Sequence, residues 1–164
     1  MRAPGLFKRL LIVVYDGLLL VAVAMVTSAL LMAAILFIAP ESFFMDPATL
    51  ANPKMIELSN QGRIVGGIVV TLNCLLVSFF FYGWFWTHGG QTLGMRAWNL
   101  YLIKPDGKFI NWKIAFIRYC AAIISWAALG MGFAWILLNS RKLTWHDSLT
   151  GTQIVFVPKD KQPR

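Results

Sequence analysis

The amino-acid sequence predicts an all-α membrane protein with three long hydrophobic segments and a small cytoplasmic β-hairpin. The third segment has a candidate break that would make it re-entrant. Three observations lead there. Hydrophobic residues make up 58% of the chain and charged residues 13%, against roughly 45–50% and about 25% in soluble domains. The apolar residues are gathered into runs of about 20 or more, the length that spans a bilayer. With the exception of Arg118, the cations lie outside those runs. The 164 residues read as one domain, 1–164, with spans at 10–38, 64–87 and 114–138, a cytoplasmic segment 88–113 and a C-terminal segment 139–164.

The first run, Leu10–Ile38, follows Arg2, Lys8 and Arg9. A basic start before an apolar core is also how a signal peptide begins, but signal cores are only about 7–15 residues long. The run is therefore read as an uncleaved first helix. Pro40 ends it, and a loop with Pro47 and Pro53 follows. The second run, Ile64–Thr87, returns through Phe79-Phe80-Phe81-Tyr82-Gly83-Trp84-Phe85-Trp86. Trp and Tyr favour the headgroup level, so this end is placed at the inner boundary, with Trp84, Trp86 and Trp112 as interface anchors.

Between the second and third runs, His88–Arg96 is glycine-rich and turn-like. Asn99–Lys104 is rich in β-favouring residues, and Pro105-Asp106-Gly107-Lys108 is a turn signal. Phe109-Ile110 could return as the second strand of a hairpin. The third run, Ile114–Leu138, admits two readings. A single crossing would put the C-terminus outside. A break at Gly130-Met131-Gly132 would return the chain to the side it left, and Arg141, Lys142, Lys159, Lys161 and Arg164 favour that second reading. Each arm would then be too short to cross, so the turn needs burial by the other helices. Thr152–Val157 is strand-like and could join the hairpin only if both lie on one side.

The net charge of +8 raises nucleic-acid binding as a function. Its distribution excludes that reading. Most basic residues sit at the N-terminus, in 88–113 and after the third run, whereas the connection between the first two runs carries Glu41, Asp46 and Glu57 against Lys54 and Arg63. This is the positive-inside pattern, with the N-terminus cytoplasmic. Cys74 and Cys120 lie within apolar runs and read as packing residues. His88 and His146 lack ligand spacing, so neither a metal nor a cofactor is expected. Gly89–Gly94 lacks the phosphate-loop pattern. No serine or cysteine nucleophile motif accompanies His146-Asp147, so no enzyme activity is expected.

The charges inside the runs carry the functional reading. Asp16 lies well inside the first run, where an ionised side chain costs roughly 2.5–3.5 kcal/mol on insertion scales and tends to face a partner or a watery path. Arg9 lies two helical turns earlier, on the same face and about 10 Å away along the axis. Arg118, near the start of the third run, is the expected partner of Asp16. Asp147 is expected to reach Arg9 or Arg96. Asn73 lies near the middle of the second run, where it either lines a path or hydrogen-bonds a neighbouring helix. Gly62 and Gly66 have the small-xxx-small spacing of closely packed helices.

Three segments together resemble a known family: Lys8-Arg9-Leu10-Leu11-Ile12-Val13-Val14-Tyr15-Asp16, Gly90-Gln91-Thr92-Leu93-Gly94-Met95-Arg96, and Leu143-Thr144-Trp145-His146-Asp147-Ser148-Leu149-Thr150-Gly151-Thr152. In this order and spacing they resemble the RDD family of bacterial integral membrane proteins, named for one arginine and two aspartates. The matching residues are Arg9, Asp16 and Asp147. Met95 stands where many members carry a lysine. The resemblance implies a small multi-span domain of the inner membrane and, from some members, cation/proton antiport. The expected function is transport of a small cation or proton by the Asp16 carboxylate, with the lipid bilayer and further copies of the chain as partners. The alternative is a non-transporting structural or regulatory protein that binds another membrane component.

Overall fold

Uninterrupted apolar sequence gives two long helices, α1 (Leu6–Ile38) and α2 (Pro53–His88). The computed structural model describes residues 3–38 and 53–158, without the side chains of 53–60. The acidic connection with Pro40, Glu41, Asp46 and Pro47, the side chain of Glu57, and the basic residues Arg2, Lys159, Lys161 and Arg164 lie outside the described residues. Helix α2 begins at Pro53, ahead of the apolar run, because proline's fixed φ and missing N–H suit the first helical turn. Both helices are long and apolar enough to cross a membrane. Their most apolar 18-residue windows bury 0% and 6% of their residues within the protein. Side chains such as Leu18, Met25, Leu30 and Ile64 stand exposed. A helix that leaves this much apolar surface uncovered is stable only with lipid as its solvent.

The chain forms two compact units, Leu20–Ser78 on the one hand and Met1–Leu19 with Phe79–Arg164 on the other. In the first, Asn73 Nδ2 donates to Thr27 Oγ1 at 3.1 Å and to Ser28 Oγ at 3.0 Å. Asn73 therefore ties α2 to α1, which is the helix-bonding reading of this residue and not the path-lining one. Cys74 Sγ lies 4.0 Å from the same Ser28 hydroxyl.

The second unit contains α3 (Leu93–Ala97), β1 (Leu100–Ile103), α4 (Trp112–Ala127), α5 (Met131–Ala134), a 3-10 turn (Trp135–Leu137), α6 (Trp145–Thr150) and β2 (Gln153–Phe156). Strands β1 and β2 pair antiparallel, with Leu100 opposite Phe156 and Ile103 opposite Gln153. The small two-stranded sheet is as anticipated, but its second strand comes from the C-terminal segment and not from Phe109-Ile110. The turn at Asp106-Gly107 does form, closed by Lys104 N–H to Lys108 C=O at 2.9 Å. Asn111 then caps α4, its side chain accepting the Ile114 N–H at 3.0 Å. That cap turns the chain into a helix before a return strand can extend. Alternation along β1 still works on both faces. Leu100 and Leu102 join Ile12, Met95, Ile110 and Ala115 in one core cluster. Tyr101 and Ile103 join Val155 and Val157 in another.

The third hydrophobic segment is broken where the glycines stand. Helices α4 and α5 meet at 104°. Leu129 and Gly130 both have positive φ, 53° and 76°, a backbone state that glycine adopts freely. Gly132 then packs so closely that an added Cβ would run into Ser125 and Trp145. The pairing of β1, before this segment, with β2, after it, requires the chain to start and finish on one side. A straight crossing would separate the two strands by about 30 Å.

Candidate functional site

The C-terminal motif builds itself locally first. Thr144 is the N-cap of α6, with its hydroxyl accepting the Asp147 N–H at 3.1 Å, while Asp147 Oδ2 accepts the Thr144 N–H at 3.1 Å. This reciprocal pair is a capping box with aspartate at the third helical position. It fixes the carboxylate of Asp147, which is 0% exposed. Two cations then converge on it. Arg9 Nη1 donates to Oδ2 and Arg118 Nη2 donates to Oδ1, each at 2.6 Å.

The second terminal nitrogen of each arginine is directed by the same segment. Arg9 Nη2 donates to the Lys142 carbonyl at 3.1 Å. Arg118 Nη1 donates to Thr152 Oγ1 at 2.6 Å. Thr152 is placed there by Gly151, the left-handed C-cap of α6, and its N–H returns to the Asp147 carbonyl at 3.0 Å. The Arg118 guanidinium also lies 5.4 Å from the centre of the Trp86 ring, a cation–π distance. Trp86 is thus a partner of the buried charge and not a free interface anchor. Arg9, Arg118 and Asp147 are all buried, and breaking such a cluster typically costs about 3–5 kcal/mol.

Asp16 has different partners. Its Oδ1 accepts the Gly94 N–H at 2.7 Å, and the Thr92 side chain also bonds the carboxylate. These groups lie at the start of α3, where Thr92 is the N-cap. A Cβ on Gly94 would come within 3.0 Å of both Asp16 Oδ1 and the Ile12 carbonyl, so glycine is what lets the carboxylate approach. The expected Asp16–Arg118 pair does not form, because Arg118 is held by Asp147 and Thr152. Among the described residues no ion pair involves Asp16. Arg96 is exposed and makes no ion pair among the described residues either, so Asp147 uses Arg9 and Arg118 instead.

A cavity of about 160 Å³ opens beside these groups, lined by Arg9, Asp16, Tyr82, Trp86, Arg118 and His146 among others. Asn73 is not one of its lining residues. Burial, followed by the nearby Arg118 charge, pushes the His146 imidazole down to about 3, so it is neutral at ordinary pH. Burial opposes ionisation of Asp147, but the Arg118 and Arg9 guanidiniums outweigh it and hold the carboxyl below the usual range.

A model of the RDD family matches residues 3–151. The chain belongs to the RDD family. No curated protein and no solved structure matches it. In this RDD protein, Arg9 and Asp147 are direct partners, and Asp16 stands apart on the α3 cap. Several site residues lay outside the sequence expectation. Thr144 was signalled by Thr144-Trp145-His146-Asp147, a Thr-x-x-Asp capping pattern. Thr92, Gly94 and Thr152 lie in the segments that carry the family resemblance, but their roles as bonding partners had no local pattern to mark them.

Proposed function

We propose that this RDD membrane protein is of transport type, resides in the bacterial cytoplasmic membrane with its N-terminus inside, and moves a small cation or proton with Asp16 as the exchanging carboxylate. One observation carries the reading. Asp16 is a buried carboxylate on an apolar helix that lines a cavity and is held by neutral donors, not by a counter-ion. A carboxylate locked to Arg118 would have its charge permanently matched. One held by an N–H and a hydroxyl can exchange a proton for a cation at smaller cost.

The alternative is a non-transporting structural or regulatory protein. The Arg9–Asp147–Arg118 cluster favours it, since a buried ion cluster of opposite charges fixes helix register without needing an ion path. Vesicle flux separates the two. Transport requires that reconstituted wild type dissipates or couples a proton or cation gradient, and that Asp16→Asn stops this while remaining folded. A silent wild type that co-purifies with another membrane component supports the alternative.

A further inference from the structure

The cavity beside Asp16 has the size of a single ring. Its volume of about 160 Å³ is close to the roughly 150 Å³ of an engineered apolar cavity that takes up benzene. Trp86, Trp126, Phe133 and Ile123 supply apolar walls. The enclosure is incomplete on α4, where Ile123 and Trp126 keep 42% and 56% of their surface exposed. Because α4 belongs to the third hydrophobic segment, that opening faces an apolar surrounding.

Polar demand inside the cavity is specific. Arg9 Nε, Arg118 Nε and His146 Nδ1 are buried without a hydrogen-bond partner among the described residues, and all three side chains line the cavity. An arginine Nε–H can only donate, so it requires an acceptor from elsewhere. With Asp16 ionised, Arg9, Arg118, Asp16 and Asp147 carry two positive and two negative charges. A charged ligand would unbalance them in a desolvated setting.

We propose that this cavity binds the head group of a neutral, membrane-borne ring compound with carbonyl acceptors, the chemistry of a quinone, its oxygen taking an Nε–H of Arg9 or Arg118 and its tail leaving past Ile123 and Trp126. The site shares its cavity with Asp16, but binding of the ring does not require that ions move.

The test uses the full chain in lipid nanodiscs, titrated with a decyl-substituted 1,4-benzoquinone. Tryptophan quenching reports binding through Trp86 and Trp126. Saturable quenching at one equivalent is expected, with decanol and decanoate failing to displace the quinone. Ala122→Phe, which fills the cavity from its wall, should weaken binding by about tenfold or more. Non-saturable quenching by partition would overturn the proposal. So would displacement by decanoate as effective as by quinone, which would mark an anion site. Both comparisons use wild type and stand even where the variant fails to fold. Loss of flux in Asp16→Asn with quinone binding intact, or the reverse, separates this site from the transport reading.

Discussion

Arg118 donates to Asp147 at 2.6 Å across a gap of 29 residues in the chain. That bond decides the charge distribution of the protein. It joins the hydrophobic segment before the glycine break to the short helix after it, and it leaves Asp16 to neutral donors. Arg9 completes the cluster from the N-terminal helix.

Asp147→Asn is expected to destabilise the protein more than any other single charge removal. Two buried guanidiniums would lose their anion, at about 3–5 kcal/mol, and the capping box would lose one oxygen. Thermal unfolding in detergent checks this. The exposed Asp106→Asn serves as control and should leave the transition unchanged.

Acid sensitivity should begin with His146. Its folded value of about 3 lies below its unfolded value of 6.5, so the unfolded chain binds the extra proton between those limits. Stability therefore falls as pH drops from 6.5 toward 3 and is independent of this group above 6.5. Asp147, held below its ordinary 3.8, contributes fully above that value and is lost only as pH falls through its lower folded value. Melting temperatures measured from pH 7 to 4 should decline in wild type and flatten in His146→Gln.

Gly94→Ala should disturb Asp16 without touching a charge. The added methyl meets the Ile12 carbonyl and the Asp16 carboxylate at 3.0 Å, and the backbone atom cannot swing away. Overpacking of this kind costs about 1–3 kcal/mol. Chemical denaturation should show that loss, and vesicle flux should fall toward the Asp16→Asn level.

The strand register is open to a direct check. Tyr101 and Val155 are opposed in the sheet, within the Cα separation of about 4.4–6.8 Å that a disulfide bridges. Tyr101→Cys with Val155→Cys, in a background lacking Cys74 and Cys120, should crosslink on mild oxidation. Tyr101→Cys with Ile154→Cys, whose side chain lies in the cluster on the other face, should not. The readout is gel mobility before and after reduction.

By itself the sequence determined the apolar segments and the charged residues that lie within and beside them. The long apolar runs leave lipid as the medium for α1 and α2. Gly130-Met131-Gly132 marked the place where the third segment bends, since local backbone freedom is written in residue type. Asp147 was legible as a partner of Arg9 or Arg96, and the fold chose Arg9. Tertiary structure alone decided the rest. Whether Arg118 meets Asp16 or Asp147 depends on where the α6 capping box carries its carboxylate in three dimensions, and spacing along the chain does not encode that. The partner of β1 depends likewise on the return of the broken segment, which brings Gln153–Phe156 alongside after Asn111 has already turned Phe109-Ile110 toward a helix.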